Sequence, residues 1–288
     1  RLFTRNRVFG ARLSLPAPTA SPVLTEVTPA PAPSLVGAPE RRAVQRVRQY
    51  RATVAGRECR ILRGDLHRHT EISWDGNADG SITDAFRYAI DAAAMDFLEV
   101  TDHNQQTGPD DPYVWWRTQK VTELYHNPPA FIGLFGCERS LGFPNGHRNI
   151  ISDHRLPALF PFTRKPEGGL ADDDTKQLYA WARKNDAIVI SHTSGTNMGT
   201  DWRDNDPELE PVAEIFQGAR TSYEYEGAPK SATPGDRAAE SSGYQPEGFL
   251  WRAWEKGLLL GIIASSDHGS THLSYAGVYA RESSRRAI

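Results

Sequence analysis

Two histidines, His67 and His69, have the types and spacing to bind a metal ion. They follow the apolar run 60–62, which predicts a short strand ending at this point. Because side chains alternate along a strand, both imidazoles of the H-x-H pair are expected on one face, where they suit a divalent ion. Asp75 follows in a Ser-Trp-Asp-Gly turn that can bring a carboxylate back toward them. Taken alone, the pair is explained equally well as two surface histidines in a polar loop.

Later predicted strands end in the same kinds of residue. In chain order these are Asp102 and His103 after 96–101, Glu138 after 130–137, His192 after 187–191, and Asp267 with His268 after 258–265. His147, at the start of the short predicted strand 146–151, is a further candidate. Imidazole and carboxylate without thiolate suit zinc, manganese or iron(II) better than calcium or structural zinc. Leaving Asp102 aside, the candidates are too many for one tetrahedral ion. We therefore expect two or three divalent ions, an arrangement used for displacement at phosphorus.

The order of the helices and strands predicted around these residues indicates an α/β fold. Helices are expected after the capping box at 81–84, over 113–125 and 172–185, and around 247–256, with further strands over 211–216 and 276–280. Continuous apolar strands that alternate with helices indicate a mostly parallel sheet covered on both faces. In a barrel of parallel strands the C-terminal ends meet at one rim, which gathers all the candidates. An open nucleotide-binding sheet is disfavoured because no G-x-G-x-x-G turn is present.

The first part of the chain has a different composition. Residues 1–40 are rich in proline and alanine, which predicts an extended arm or linker, and the basic segment 40–51 predicts a short helix. We expect an N-terminal arm over 1–52 and a metallohydrolase barrel over 53–288.

Composition limits the partners and the compartment. The net charge of −3 and the pI near 6.3 argue against a broad basic face, so we expect a small-molecule phosphoester substrate and no nucleic acid. No apolar run is long enough to span a membrane, so no membrane partner is expected. The two cysteines allow at most one disulfide. The chain begins at Arg1 rather than at a methionine, which is compatible with removal of a signal peptide or an upstream domain. The compartment, cytoplasmic or secreted, is therefore open, and so is the oligomeric state.

The ordered set of motifs resembles the PHP (polymerase and histidinol phosphatase) superfamily. The resemblance is carried by 65–70 with Asp75, by 101–104, and by Glu138, His192 and 266–267, and it spans roughly residues 58–270. It implies a distorted, TIM-like (β/α)7 barrel, a trinuclear metal site and phosphoester hydrolysis by a metal-bridging hydroxide.

The resemblance also implies which residues share an ion. His67, His69, Glu138 and Asp267 would hold the first ion, Glu138 would bridge to a second ion held by His147 and His192, and Asp75 and His103 would hold a third with a final histidine. The family motif usually ends in Asp-x-His, but Gly269 stands at the last position here. Replacement by His268 is favoured, with His272 or a weaker third site as alternatives.

Phosphate also needs hydrogen-bonding partners beside the metals. Arg148 and Arg220 are the candidate phosphate clamps, because a guanidinium fork matches two phosphate oxygens, although a surface salt bridge explains either arginine as well. Asp102 is expected to orient a ligand imidazole rather than to bind metal. His126 and His154 lie in predicted loops and are expected to be exposed.

The leading functional hypothesis is a metal-dependent phosphoesterase that hydrolyses a small phosphomonoester or phosphodiester. One alternative is an amidohydrolase-type barrel acting on a C–N or carboxylic ester bond, although no lysine stands at a predicted strand end to bridge its metals. The other is a degenerate barrel used only for binding, to which the altered motif at Gly269 gives some weight.

Overall fold

The computed structural model describes residues 11–14, 25–26, 37–76, 78–103, 111–157, 174–220, 222–238 and 243–288. The chain divides into two compact units, Arg1–Gln49 and Tyr50–Ile288. In the first unit the described helix is α1 (Ala38–Gln49), which confirms the helix predicted over 40–51 and has no buried residue. The proline-rich part of the predicted arm lies mostly outside the described residues, so the arm and its boundary at residue 52 stay predictions.

The second unit alternates strands and helices along the chain. Its described elements are β1 (Ala52–Val54), β2 (Arg57–Asp65), α2 (Ile82–Arg87), β3 (Phe97–Glu99), α3 (Asp111–Tyr125), β4 (Ile132–Arg139), β5 (Arg148–Ser152), α4 (Asp174–Lys184), β6 (Ala187–Ser191), β7 (Val212–Gln217), α5 (Leu250–Glu255), β8 (Gly261–Ser265) and β9 (Ala276–Ala280). A short π-helix, Tyr88–Ala92, continues α2. Each strand predicted from the sequence is present; only the short hairpin strand β1 was missed.

The strands form one curled sheet in the order β1 to β8, with β9 antiparallel to β2. At the C-terminal rim the sheet closes, because Asp267 donates its backbone N–H to His67 O at 2.8 Å and accepts from His69 N at 3.0 Å. The predicted α/β class and distorted TIM-like barrel are therefore confirmed.

Three of the described strands depart from the prediction of a mostly parallel sheet: β1 and β9, which are antiparallel to β2, and β5. β5 is antiparallel to both β4 and β6, whereas β2–β3, β3–β4, β6–β7 and β7–β8 are parallel pairs. An antiparallel strand starts where its parallel neighbours end. His147, one residue before β5, therefore reaches the same rim as Glu138 and His192.

Apolar side chains line the sheet interior below that rim. The interior cluster includes Leu62, Leu66, Phe97, Ile132 and Leu134, all buried. Separate apolar clusters seat the helices on the outer face of the sheet. The polar rim thus lies above an apolar interior, part of which borders a cavity of about 700 Å³ lined by Leu66 and Leu134.

Local sequence fixes individual elements in recognisable ways. Ser81 caps α2 by accepting a hydrogen bond from Asp84 N at 3.1 Å, as the capping-box pattern predicts.

Cys59 and Cys137 are both buried free thiols, so the disulfide that the sequence allowed is absent between them. No helix in the described ranges combines the length and apolarity needed to cross a lipid bilayer.

Candidate metal centre

The rim carries a buried cluster in which four side chains lie closest together. The Nε2 atom of His67 is 3.3 Å from Glu138 Oε2 and 3.2 Å from Asp267 Oδ1, and the Nε2 atom of His69 is 3.0 Å from the same two oxygens. All four side chains are buried and their ligand atoms lie within 4.8 Å of one another. This is the set that the family resemblance assigns to the first ion.

Glu138 divides its two oxygens between two groups of imidazoles. While Oε2 faces His67 and His69, Oε1 lies 2.6 Å from His147 Nδ1 and 3.6 Å from His192 Nε2. Glu138, His147 and His192 form a second group compatible with a metal ion. A carboxylate placed in this way can bridge two ions.

A third group lies on the other side of His69. Its members are His69, Asp75 and His103, and Asp75 Oδ2 is 2.9 Å from His103 Nε2. The Nε2 atom of His268 is 3.5 Å from the same Asp75 oxygen, and its ring stacks on His69 with centroids 4.4 Å apart. His268, rather than His272, is therefore the histidine that reaches this group.

The position of Gly269 explains the altered motif in backbone terms. Gly269 has φ +109°, a conformation that a histidine would adopt only with strain, and its N–H donates to Asp79. His272 lies elsewhere, with its Nδ1 donating to Asp65 at 2.8 Å. Asp267 itself has φ +65°, a strained value for a non-glycine residue that suits a site held under constraint by its surroundings.

Five of the imidazoles share one orientation, with Nδ1 hydrogen-bonded outward, whereas His147 turns its Nδ1 toward Glu138. The outer partners are Glu214 for His67, Ser73 for His69, Ser140 for His103, Thr193 for His192 and Asp79 for His268. Each outer hydrogen bond fixes a ring and leaves Nε2 facing the carboxylates. This is the usual arrangement of metal-binding histidines, in which the second nitrogen is held by a supporting group.

Two buried imidazole nitrogens without hydrogen-bond partners indicate whether the cluster fits metal ions. His69 Nε2 and His192 Nε2 are buried, and within the described part of the chain neither makes a hydrogen bond of acceptable geometry. Buried polar atoms without partners are rare and costly in native proteins. The Nε2 atom of His69 faces oxygens of Glu138 and Asp267, and that of His192 faces Glu138, so the donor set fits divalent ions.

Electrostatics favour positive charge at the same point. Burial alone would lower the pKa of His69, but the carboxylates of Asp267 and Glu138 overcome it and raise the pKa to about 10. Burial opposes the charged form of Glu138, yet the surrounding histidines hold its pKa well below the ordinary value. Burial lowers the pKa of His192 well below the ordinary value, which favours the neutral imidazole. The carboxylates thus need cations, supplied by protons or by metal ions.

The two candidate phosphate clamps differ in position. The Nε atom of Arg220 donates to Asp267 Oδ2 at 2.9 Å, and the side chain is 26% exposed and lines the cleft above the cluster. Arg148 is 2% exposed; it donates to Glu210 Oε1 at 3.0 Å and packs against the Tyr179 ring on α4. The expectation for Arg148 was wrong, because its side chain lies on the outer, helix-covered side of the sheet.

The expectations for Asp102 and His126 differ from the structure, whereas the expectation for His154 agrees with it. Asp102 accepts from Thr70 N at 2.7 Å and from Thr70 Oγ1 at 2.8 Å, so it anchors the segment that follows His69 rather than an imidazole. His154 is exposed beside Asp153, as expected, whereas His126 is half-buried and accepts from Gly133 N at 3.3 Å.

Glu214 is the main site residue that sequence reasoning missed. It lies in β7, is fully buried, and accepts from His67 Nδ1 at 3.0 Å. A signal was available, since a carboxylate in the apolar run 211–216 must point into a polar environment. Because His67 directs its other nitrogen at Glu138 and Asp267, Glu214 supports the ring from outside.

A cleft of about 260 Å³ lies above the cluster. Its walls include Ser140, Met198, Trp74 and Arg220 beside the candidate ligands, and no lysine lines it among the described residues. A phosphate group placed here would meet the metal cluster on one side and the Arg220 guanidinium on another.

No family model matches the chain, and no curated protein matches it. Solved structures of similar fold include a two-domain protein from Bacteroides vulgatus containing a predicted PHP-like metal-dependent phosphoesterase, with 19% identity and a TM-score of 0.47 over 80% of this chain and 62% of that chain. A second is endonuclease Q in complex with a 27-mer duplex substrate carrying an abasic lesion at the active site, with 11% identity and a TM-score of 0.44 over 79% of this chain and 55% of that chain. A third is the lesion-specific endonuclease PfuEndoQ from Pyrococcus furiosus, with 10% identity and a TM-score of 0.42 over the same shares.

These similarities are remote, and the chain spans less than two thirds of the length of each of these three proteins. One of them nonetheless corrects the expectation that nucleic acid is excluded as a partner, because endonuclease Q is seen with a nucleic-acid duplex at its active site. The exclusion rested on a net charge of −3, which averages over the whole surface, whereas binding depends on the local field at the site.

Proposed function

We propose that this chain is a metal-dependent phosphoesterase of the PHP type that hydrolyses a phosphomonoester or phosphodiester. The observation that carries the proposal is the buried Glu138, whose two oxygens face two different sets of imidazoles at the C-terminal rim of a barrel. A carboxylate bridge between neighbouring ions is typical of sites that hydrolyse phosphate esters.

The proposed ligand sets follow the three groups at the rim. His67, His69, Glu138 and Asp267 would hold one divalent ion, Glu138, His147 and His192 a second, and Asp75, His103 and His268 a third. Manganese, zinc and iron(II) are the ions that imidazole and carboxylate ligands favour. Ions bound here would supply Lewis-acid charge and lower the pKa of a water molecule.

The protein's own residues would orient the phosphate ester and hold the imidazole ligands in place. Arg220 is fixed by its hydrogen bond to Asp267, so its remaining N–H groups are held near the cleft and suit two phosphate oxygens. The outer partners of His67, His69, His103, His192 and His268 would hold these rings in the tautomer that presents Nε2 inward. The absence of lysine among the described cleft residues disfavours the amidohydrolase alternative.

The test is metal content and hydrolysis measured on the same protein. Chelator-treated protein should bind two or three equivalents of Mn²⁺, Zn²⁺ or Fe²⁺, and the loaded protein should hydrolyse phosphate mono- or diesters, with both aryl and alkyl esters in the panel. His67→Ala should lose at least one equivalent and nearly all activity. His154→Ala, which removes an exposed histidine away from the cluster, should change neither.

Three results would reject the proposal. If the protein binds no divalent ion, the cluster is not a metal site and the proposal fails. Loaded protein that hydrolyses an amide or a carboxylic ester, and no phosphate ester, would favour the amidohydrolase alternative. Loaded protein that hydrolyses nothing would favour the degenerate binding barrel.

A further inference from the structure

An exposed tryptophan stands at the mouth of the metal cleft. Trp74 is 56% exposed although indole is among the largest apolar groups, and it lines the cleft with Asp75, His103 and Arg220. Its ring centroid lies 5.7 Å from that of His103, with the planes tilted by 36°. Exposed apolar groups beside a polar site commonly mark a binding surface.

The backbone that carries Trp74 is held firmly on both sides. Ser73 is hydrogen-bonded to His69 Nδ1 at 3.0 Å and donates to Asp75 Oδ1 at 2.8 Å. Ser73 N bonds to Thr70 O at 3.0 Å, and Gly76 N bonds to Ser73 O at 3.1 Å. The indole is therefore presented from a fixed turn, which limits the entropy lost when a ligand packs against it.

We infer that Trp74 is a stacking platform and that the substrate is a phosphate ester whose esterified group carries a planar aromatic ring. The inference rests on the proposed function, because the cluster and Arg220 must hold the phosphate beside the indole. Aromatic rings gain interaction energy on an indole face that a saturated ring of equal size does not.

The size of the cleft limits the esterified group. Its volume of about 260 Å³ lies just below the range of about 300–1,000 Å³ that is usual for pockets holding drug-sized ligands. A cleft of this size suits a small esterified group. Trp74 would then select esters by the planarity of the ring next to the phosphate.

Non-hydrolysable analogues test the inference by binding alone. Phenylphosphonate and cyclohexylphosphonate match in size and charge and differ in planarity. The methylene-phosphonate analogues of adenosine 5′-monophosphate and of ribose 5-phosphate form a second pair that asks whether a nucleobase is the ring. Titration calorimetry on metal-loaded protein should give tighter binding of the planar member of one pair, by about three- to tenfold.

Variants separate stacking from general damage to the site. Trp74→Ala should abolish the preference while leaving the affinity for the saturated analogue nearly unchanged, and Trp74→Phe should retain part of it. Trp251→Ala removes an equally exposed tryptophan, on α5 and outside the cleft, and should keep the full preference.

The outcomes separate the role proposed for Trp74 from the proposed phosphoesterase function. Equal binding of both members of both pairs, or a preference that survives in Trp74→Ala, would overturn the role of Trp74 while ester hydrolysis still supported the phosphoesterase. If no analogue binds and no ester is hydrolysed, the proposed function fails and the inference fails with it.

Discussion

At the scale of single residues, the cluster depends on groups that never face the substrate. Glu214 holds His67 from outside the ring, so its loss should affect the ions through the orientation and basicity of that imidazole. We predict that Glu214→Gln weakens metal affinity by about 10- to 100-fold, as loss of such supporting partners usually does. Competition with a chromophoric chelator measures this affinity.

A matched control for Glu214 lies on the surface. Glu208→Gln removes a carboxylate that pairs with Arg183 at an exposed position and should leave metal affinity as in the wild type. If Glu214→Gln binds metal as tightly as the parent protein, His67 does not need its outer partner.

A second buried carboxyl, Glu99, predicts a pH dependence. Glu99 is fully buried in β3, and both of its oxygens lack a hydrogen-bond partner within the described residues. Burial raises its pKa well above the ordinary value of 4.5, and the charge of nearby His67 opposes this only in part. The folded protein therefore keeps a proton on Glu99 at pH values where the unfolded chain has lost it.

The sign of the effect on stability follows from that proton. Above about pH 4.5 the unfolded chain binds fewer protons at this position, so the free energy of unfolding falls as pH rises, by up to about 1.4 kcal/mol per pH unit. Glu99→Gln should remove this decline. Urea unfolding of chelator-treated protein between pH 5 and about pH 8 measures it, and equal slopes for the two proteins would contradict the prediction.

At the scale of elements, the turn after β2 is as constrained as the ligands it carries. A Cβ atom on Gly76 would lie 1.8 Å from the backbone oxygen of Thr70, which cannot move without opening the turn that holds Asp75. We predict that Gly76→Ala displaces Asp75, lowers the bound metal by one equivalent and reduces activity, with a smaller effect on Tm.

Gly142 offers the control for this turn. A Cβ atom there meets only an ordinary contact at 3.8 Å, and the residue follows β4 on the same rim. Gly142→Ala should retain all bound metal. If Gly76→Ala also keeps the full complement, the turn tolerates the shift and does not fix the third group.

The strands show which parts of the fold could be predicted from the sequence alone. Strand ends and side-chain types predicted the fold class and brought together the candidates from His67 to His268, because apolar runs and polar termini are local features. The antiparallel direction of β5 depends on its pairing with β4 and β6, which no local pattern encodes. The position of Arg148 depends on the same pairing, because the face on which its side chain lies follows from the register.

Glu214 was missed for a related reason. A carboxylate inside an apolar strand indicates a buried polar environment, but its partner, His67, is distant in sequence and known only once the barrel closes. Pairs of this kind are a property of the assembled sheet.

At the scale of the whole molecule, the cluster links strands that are far apart in sequence. Side chains from β4 and from the segments beside β2, β3, β5, β6 and β8 converge at one rim, with several carboxylates crowded among the imidazoles. Bound ions would cross-link these segments and neutralise their charge, so metal binding and folding should be thermodynamically coupled.

We therefore expect chelation to lower the free energy of unfolding. For one site with free metal at 100 times Kd, the loss should be about 2.7 kcal/mol, measured by urea unfolding with and without chelator at fixed protein concentration. The loss should shrink at acid pH, because the carboxylates raise the pKa of His69 to about 10 and protons then compete with metal for the same nitrogens. The difference should be smaller in His67→Ala, which is expected to bind at least one ion fewer, and should persist in full in His154→Ala. If chelation leaves the unfolding curve unchanged while metal is shown to leave, the ions do not link the strands, and the rim is held by its hydrogen bonds alone.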